Sequence, residues 1–428
     1  MAPRKKLTSQ RKYQLLLQIS QQTRDTFDLD QILNILLDEV KLLVDYDAAG
    51  IFVLNRTVLP PRLQQPRQVV AGVVLRNYYL EEHRNRMMRY GEGLVGYAIR
   101  TGECVMIPDV RKDSRYVVGR QSTRSEVDVP LFLGDRPIGA LNLESDRVAA
   151  FDKRDLKILR FFADAAAITI DKAMQHQNLL EMEQIEAQLK TARAVQAHLL
   201  PTSAPQIPGY DIAGLYLPTY EVGGDYFDFI PLPGNQLGLA VADVSGDGLP
   251  AALVMSAFRA LLRTLAGSEL TPAQIAEKIN RMLPDFSGRD DFVTSFYGLF
   301  EPGAGQLTYV NCGHNPPVHL HRTGEADMLK RSGPALGMFT GSRFETHQLT
   351  LSHGDLLLLY TDGLVEARNP AGEFFETGRL EALLRQNATL PAADLIQAIV
   401  QEARQYIGYE VFLDDVALVV VKRLIARV

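Results

Sequence analysis

The feature that most limits how this chain can fold is a long helical segment near its middle. The helical pattern begins at Asp152 and runs to Leu200, where Pro201 ends it, and the stretch "NLLEMEQIEAQLKTARAVQAHLL" contains neither Gly nor Pro. Residues at alternating steps of three and four form a heptad seam of about three heptads: Met182, Ile185, Leu189, Ala192, Gln196 and Leu199. This spacing favours a parallel dimeric coiled coil over a single amphipathic helix lying on one domain.

Length and composition indicate a soluble protein with two domains. A chain of 428 residues is too long for one ordinary hydrophobic core. A net charge of −6 argues against nucleic acid as the main partner. The basic N-terminus has no signal-peptide core, and no uninterrupted apolar stretch reaches the roughly 18 residues that cross a bilayer. We therefore expect no membrane insertion.

The cysteine content indicates in which cellular compartment the protein functions. Cys104 and Cys312 are the only two cysteines, too few for a disulfide framework or a cysteine-built metal site. A reducing cytoplasm fits this composition best.

The sequence before the long helix predicts a short helical segment and then a domain with strands. Strand-like runs include "AAGIFVLN" and the hairpin "EVDVPLFLGDRPIGALNLES", whose turn is near Gly134-Asp135. We place an N-terminal helix at 1–26, a first domain at 27–173 and the coiled-coil linker helix at 174–200.

After Pro201 the pattern changes to short β-rich runs with many Gly and Pro residues, such as "QLGLAVADVSG" and "DLLLLYTDG". Helical stretches lie between them, "LPAALVMSAFRALLRTLA", "TPAQIAEKINRML" and a third one broken near Pro391. Many short strands with few helices predict a second domain at 201–428, an α+β sandwich of two sheets flanked by helices.

Acidic residues at strand ends suggest the chemistry of this second domain: Asp225 in "GGDYFD", Asp243 in "VADVSGDG", Asp362 in "LLLYTDG", and Asp414 with Asp415 in "FLDDVAL". One Asp-Gly pair is first of all a turn signal. Several buried carboxylates need a cation or a donor nearby. Oxygen ligands suit two Mg²⁺ or Mn²⁺ ions, and the absence of His or Cys clusters argues against zinc. Two such ions would activate a bridging water for in-line attack on a phosphoester.

Seven segments of this half, in order, carry a family resemblance: "ARAVQAHLLP", "EVGGDYFDF", "ADVSGDGLPAALVMS", "VNCGHNPP", "GPALGM", "LLLYTDGLVEARN" and "DDVALVVV". Over about Thr191 to Val421 the chain resembles the bacterial SpoIIE/RsbU-type branch of the metal-dependent protein phosphatases (the PPM, or protein phosphatase 2C-like, family). The resemblance implies an αββα sandwich that hydrolyses phosphoserine or phosphothreonine proteins at a two-metal centre.

The same resemblance implies roles for individual residues. Asp243 would bridge both ions, the Val244 carbonyl would add a ligand, and the motif leaves the role of Asp415 open. The implied catalytic and metal-binding carboxylates are Asp225, Asp243, Asp362 and Asp414.

Some neighbouring residues allow two interpretations. Asp247 could weaken phosphate binding as a like charge, or it could cap the following helix, which we favour. His314 in "CGHNPP" is either a general acid or a histidine that fixes a proline-containing turn, and the second is favoured. No arginine for a substrate phosphate is evident.

The first domain resembles a GAF domain over about residues 27–173, through "GEGLVGYAIRTGECVMIPDVRKDSRY" and "VPLFLGDRPIGALNLESDRVAAFDKRDLKILRFFADAAAITI". That fold implies an antiparallel sheet with flanking helices and a pocket for an unknown small molecule, or none. The stretch Asn142–Asp155 has no Lys directly after its Asn, so the cyclic-nucleotide pattern of some relatives is incomplete. A purely structural dimerisation unit is the alternative.

Together these features predict a cytoplasmic signalling phosphatase that forms a homodimer through the coiled coil and the GAF domain, and in which a GAF sensor acts through the linker helix. By resemblance the substrate is a phosphoprotein, an anti-sigma-factor antagonist of a bacterial partner-switching pathway. The two-state element is expected at Gln196–Pro201 together with helix 249–266. A non-catalytic scaffold that binds phosphorylated partners is the alternative, and a nucleotide cyclase or kinase lacks a Gly-rich phosphate loop followed by Lys.

Overall fold

The computed structural model describes residues 29–55, 69–78, 88–288 and 291–425. These residues belong to two units that divide between Gln184 and Ile185. The predicted N-terminal helix at 1–26 lies outside the described residues.

The first unit is built on a six-stranded antiparallel sheet. Its strands are β1 (Ala48–Asn55), β2 (Val69–Arg76), β3 (Met88–Arg89), β4 (Val105–Ile107), β5 (Ser125–Leu133) and β6 (Arg136–Ser145). They lie in the order β3-β2-β1-β6-β5-β4. The predicted hairpin is confirmed as β5 and β6, and Gly134 at its turn has a φ of 60°, which favours glycine.

Helices cover both faces of this sheet: α1 (Leu29–Leu43), α2 (Gly93–Thr101) and the first part of α3 (Lys153–Ala197). Ile51 and Val53 of β1 belong to the core formed with α1 and α3. Phe52 between them packs on the other side, with Val95 and Ile99 of α2. Successive side chains of a strand point to opposite faces of the sheet, which explains why Phe52 packs on the other side from Ile51 and Val53.

The helix α3 has 45 residues and closely matches the predicted long helix. Two residues of the predicted seam, Met182 and Ile185, are 67% and 57% exposed in the single chain. The coiled coil itself stays a prediction.

The second unit contains two five-stranded antiparallel sheets. Their strands are β7 (Tyr210–Leu217), β8 (Tyr226–Leu232), β9 (Gln236–Val244), β10 (Val293–Glu301), β11 (Gln306–Cys312), β12 (Val318–Leu320), β13 (Ala326–Met328), β14 (His347–Thr350), β15 (Leu356–Tyr360) and β16 (Val416–Arg423). The first sheet has the order β14-β11-β10-β9-β8, and the second has the order β13-β12-β15-β16-β7.

The two sheets pack face to face and carry helices on their outer faces: α4 (Gly248–Ala266) and α5 (Pro272–Met282) on the first, α6 (Glu376–Asn387) and α7 (Ala392–Ile407) on the second. Leu357 and Leu359 of β15 belong to the core between the sheets. Leu356, Leu358 and Tyr360 belong to the core shared with α6 and α7. Because β15 is buried on both faces, its sequence "LLLLY" is apolar throughout. The predicted α+β sandwich is confirmed.

Among the described residues, α4 is the one helix long and apolar enough, by length and composition, to cross a membrane. Its Met255, Phe258 and Leu262 are buried in the core on the first sheet. Packing on the sheet accounts for this apolar side, so its composition is weak evidence for a membrane span.

Candidate metal centre

Five acidic side chains from four segments meet at one edge of the sandwich. Asp225 directly precedes β8, and Asp243 lies near the end of the adjacent strand β9. Asp362 follows β15, and Asp414 and Asp415 directly precede the adjacent strand β16. Because antiparallel neighbours place the start of one strand beside the end of the next, these carboxylates come together although they are far apart in sequence.

The carboxylates surround a cavity of about 610 Å³, counting its solvent-open part. Its lining comprises Thr219, Tyr220, Gly224, Asp243, Gly246, Asp247, Leu413, Asp414 and Asp415. Asp225 and Asp362 lie beside this lining, close enough for their charges to act on Asp243 or on each other. Among the residues that line the cavity no side chain is positively charged.

Asp225 is the most enclosed of these acids. The residue is 2% exposed, and its Oδ2 atom has no hydrogen-bond partner among the described residues. Burial, followed by the charges of Asp243 and Asp415, raises the pKa of Asp225 well above its usual range. A buried carboxylate oxygen without a donor is costly, and a cation in the cavity would remove that cost.

Burial and neighbouring negative charges also raise the pKa values of the other carboxylates in the cluster. Burial and the charges of Asp362, Asp414 and Asp415 raise the pKa of Asp243 to about 7. The pKa of Asp362 is raised by burial and then by Glu366, and that of Asp414 by burial and then by Asp362. The cluster is therefore unfavourable without a positive charge in its midst.

Asp415 has a different setting, because it holds the surrounding loops. Its Oδ1 accepts a hydrogen bond from the Thr219 amide at 2.8 Å, and its Oδ2 accepts one from the Tyr216 hydroxyl at 3.3 Å. The Asp225 amide also donates to its Oδ2, at 3.5 Å. Asp415 thus positions the loop that carries Asp225.

Two glycines permit this close packing. A Cβ atom on Gly223 would overlap Oδ2 of Asp415, and one on Gly363 would overlap the Asp415 carbonyl oxygen. The backbone can approach Asp415 from both sides only because these residues lack a side chain.

The ligand atoms that this cluster offers are all oxygens. Besides the carboxylates, the Val244 carbonyl oxygen faces the Asp225 loop. A Cβ atom added to Gly224, the residue before Asp225, would lie 3.0 Å from this oxygen. Hard oxygen ligands with no imidazole or thiolate fit Mg²⁺ or Mn²⁺. The residues present therefore fit the predicted ions, and their role as ligands stays a prediction.

Asp247 does not make the capping hydrogen bond that we favoured from sequence. It occupies the N-cap position of α4, but its side chain makes no cap hydrogen bond, and it lines the cavity. Gly246 and Gly248 on either side have φ values of 87° and 65°, so the backbone turns sharply here and aims Asp247 at the cavity.

His314 lies in the core and is not among the residues that line the cavity. It is 2% exposed, its Nδ1 lies 2.8 Å from the Thr294 hydroxyl, and its amide donates to Asn311 Oδ1 at 2.9 Å. Burial lowers the pKa of His314 to about 4, which keeps the ring neutral. These contacts favour the turn-fixing interpretation over a general acid.

Asp228, the second aspartate of "GGDYFD", serves the fold. Its fully buried carboxylate accepts hydrogen bonds from Arg263 Nε at 2.6 Å and Nη2 at 2.8 Å, and also one from the Tyr226 hydroxyl. The bidentate pair ties β8 to α4. Two aspartates three residues apart thus have separate roles, and only the pairing with a distant arginine distinguishes them.

The prediction that the chain has no histidine cluster is wrong. The ligand atoms of His319, His321 and Asp355 lie within 4.8 Å of one another. His319 Nε2 lies 3.0 Å from Asp355 Oδ2, and His321 Nε2 lies 2.9 Å from Asp327 Oδ2. The alternation "HLH" on a strand was the available signal. The cluster lies at the opposite end of β15 from Asp362 and is separate from the acidic cavity.

The end of α3 contacts the loop that carries Asp225. Gln196, predicted as a seam position, is instead buried: its Nε2 donates to the Gly223 carbonyl at 2.7 Å, and its Oε1 accepts from the Gly223 amide at 3.2 Å. Arg193 forms an ion pair with Glu221 at 3.0 Å. Arg259 of α4 donates to the Leu199 carbonyl at 2.6 Å. The helix end, α4 and the Asp225 loop are therefore linked directly.

Two family models match separate parts of the chain. A family model described as Stage II sporulation protein E (SpoIIE) matches residues 233–424, and one described as GAF domain matches residues 27–171. The chain is 29% identical over 263 residues to Protein IcfG of Synechocystis, covering 55% of this chain and 41% of that protein. It is 28% identical over 251 residues to the phosphoserine phosphatase RsbU of Bacillus subtilis, covering 58% of this chain and 74% of that protein.

A solved structure shares the fold of the second unit. The SiaA-PP2C domain of Pseudomonas aeruginosa aligns with a TM-score of 0.50 at 22% identity, covering 56% of this chain and 98% of that chain. The chain spans less than half the length of Protein IcfG.

Proposed function

Because this chain consists of a GAF domain followed by a SpoIIE-type PP2C phosphatase domain, we propose that it is a metal-dependent phosphatase of phosphoserine or phosphothreonine proteins, regulated through its GAF domain. The single observation that carries the proposal is the convergence of acidic side chains from four segments on one cavity whose described lining contains no cationic side chain.

In this proposal two Mn²⁺ or Mg²⁺ ions are held by Asp225, Asp243, Asp362, Asp414 and the Val244 carbonyl. Such ions would supply Lewis-acid activation of water and neutralise the charge that develops on a phosphoryl group. The chain's own part is to keep the carboxylates converged. Asp415 does this through the Thr219 and Asp225 amides, and Asp228 with Arg263 fixes β8 against α4.

The substrate is proposed to be a phosphoprotein, by similarity to RsbU, which is named a phosphoserine phosphatase. The order of motifs in the second domain adds the narrower proposal of an anti-sigma-factor antagonist in a partner-switching pathway. We place the protein in the cytoplasm, since Cys104 and Cys312 are both free.

The linker helix is proposed to pair with a second copy of the chain. The exposed Met182 and Ile185 continue at heptad spacing to Leu189, and none of them is buried within the single chain. An apolar seam at this spacing fits a parallel partner helix.

We further propose that the linker acts on the metal centre through Gln196 and Arg259. Gln196 binds the backbone of Gly223, two residues before Asp225, and Arg259 binds the last turn of the linker from α4. A shift of the helix end would therefore move the Asp225 loop and α4 together.

The test is Mn²⁺-dependent release of phosphate from a phosphoserine protein or p-nitrophenyl phosphate. Asp243→Asn and Asp362→Asn should each lower turnover by several orders of magnitude with the fold retained. Asp394→Asn, an exposed residue in the first turn of α7, is the matched control and should keep full activity. Wild-type activity in either site variant contradicts the proposal, and binding of phosphoproteins without any turnover would indicate a scaffold instead.

A further inference from the structure

A second group of buried acids lies in the first domain, in the β5–β6 hairpin. Glu126, Asp128 and Glu144 are 4%, 0% and 3% exposed. In the strand register Glu126 lies directly opposite Glu144, and Asp128 lies opposite Asn142. Paired residues of antiparallel strands point to the same face, so three carboxylates share one side of the sheet, and like charges directly opposite each other are destabilising.

The hydrogen-bond donors that reach these acids are neutral. Asn142 Nδ2 donates to Glu126 Oε1 and to Asp128 Oδ1, both at 2.9 Å. The Tyr78 hydroxyl lies 2.9 Å from Glu144 Oε1, and the Thr123 hydroxyl donates to Glu144 Oε2. These contacts satisfy one oxygen each of Glu126 and Asp128. The second oxygens, Glu126 Oε2 and Asp128 Oδ2, are buried and accept no hydrogen bond from any other described residue, so a hydrogen bond between the two carboxyl groups is the remaining contact.

Two neighbouring arginines stabilise the ionised form of only part of this group of acids. Arg120 forms an ion pair with Asp146 at 3.2 Å and acts on Glu144. Arg115 forms an ion pair with Asp113 at 2.6 Å and has a weak effect on Asp128. Burial followed by the charges of Asp128 and Glu144 raises the pKa of Glu126, so its ionised form lacks compensation.

Two of the acids, Glu126 and Glu144, line a cavity of about 620 Å³, counting its solvent-open part, whereas Asp128 is not part of the lining. Glu126, Asn142 and Glu144 line it on the polar side. Apolar side chains complete the lining, among them Phe52, Leu75, Leu94 and Val95. No Lys or Arg is among the described residues that line it, so this lining offers no cation for the phosphate of a nucleotide.

We propose that this cavity binds a small organic cation, a primary amine with a short branched or aromatic apolar body, as the regulatory ligand of the GAF domain. The ammonium group offers three N–H donors, and Glu126 Oε2, the carboxylate oxygen of a lining residue that accepts no hydrogen bond from the described donors, is the acceptor that it would satisfy. The apolar body would lie against the wall formed by Phe52 and Leu94. This assignment is independent of whether the second domain is a phosphatase.

The experiment is calorimetric titration of the full chain with isoamylamine and with two probes of the same shape, isoamyl alcohol and isovalerate. Ligand-observed NMR extends the range to millimolar Kd. The amine should bind saturably at one site per chain, and the alcohol and the acid should bind at least about tenfold more weakly, because a charge-assisted hydrogen bond is lost.

Variants assign the binding to the carboxylates. Glu126→Gln should weaken amine binding about tenfold or more, and Asp128→Asn, which removes an acidic group beside Glu126 but outside the lining, should weaken it less. Both remove an uncompensated buried charge, so both should fold. Asp135→Asn, in the exposed hairpin turn, is the matched control and should bind like wild type.

Three results would overturn the proposal: equal binding of amine and alcohol, unchanged amine affinity in Glu126→Gln, or saturable binding of cyclic GMP or of Ca²⁺ with none of the amine. None of these outcomes depends on phosphatase activity, so failure here is distinguishable from failure of the proposed function.

Discussion

Neutralising one carboxylate of the metal centre should stabilise the metal-free protein. The pKa of Asp243 rises from an ordinary value of 3.8 to about 7 on folding. At about 1.4 kcal/mol per pH unit this difference corresponds to an upper limit of about 4 kcal/mol against the folded state above pH 7. Asp243 is partly open to solvent and its neighbours can protonate in its place, so we expect Asp243→Asn to gain about 1–2 kcal/mol.

The sign of the pH dependence follows from linkage. Below pH 4 Asp243 is protonated in both folded and unfolded chains, so the substitution should have little effect. As pH rises toward 7 the unfolded chain ionises first, and the penalty on the folded state grows to its full size above pH 7. The stabilisation by Asp243→Asn should therefore be nearly absent at pH 3, already partial at pH 5 and largest at pH 8.

The assay is urea unfolding in EDTA at pH 5 and pH 8. The chain has no Trp, so hydrogen exchange read by mass spectrometry in β9 and β15 reports the second domain alone. Asp247→Asn changes an exposed residue of the same cavity and should stay within about 0.5 kcal/mol of wild type. If Asp243→Asn is no more stable than wild type at pH 8 without metal, the reasoning about buried charge is refuted.

Three further variants test other parts of the account. Arg263→Met leaves the buried Asp228 carboxylate without its bidentate partner and should lower the free energy of unfolding in urea by about 3–5 kcal/mol. The double variant Asp228→Asn/Arg263→Met should recover part of this loss, and no recovery would refute the pairing. Gly363→Ala places a methyl group against the Asp415 carbonyl and should reduce Mn²⁺-dependent turnover at least about tenfold, whereas Gly378→Ala, which meets no neighbouring atom, should not. Polar replacement of Met182, Ile185 and Leu189 should halve the mass measured by light scattering, and an unchanged mass would contradict the coiled coil.

The architecture was accessible from sequence because local pattern and fold agree. The hairpin turn at Gly134 and the break near Pro391 are both set by residues close in the chain. The continuous apolar run of β15 likewise reflects burial on both faces. Such signals act within a few residues, so they can be read without knowledge of tertiary structure.

Other features depended on contacts between distant residues. Asp225 and Asp228 look alike in sequence, and only Arg263, 35 residues after Asp228, shows that the second one forms an ion pair. Gln196 fits a heptad, but its carboxamide binds the Gly223 backbone because α3 ends beside that loop. Asp247 sits at a helix N-cap, yet the glycines on both sides turn its side chain into the cavity. In each case tertiary packing overrides a sound local expectation.

The most direct test of the central claim is the number of Mn²⁺ ions bound per chain, measured by calorimetric titration of the full-length protein with and without Asp243→Asn. Convergent carboxylates that share Asp243 predict two ions in wild type and at most one, more weakly held, in the variant. An unchanged stoichiometry and affinity in the variant, or no Mn²⁺ binding by wild type, would contradict the account.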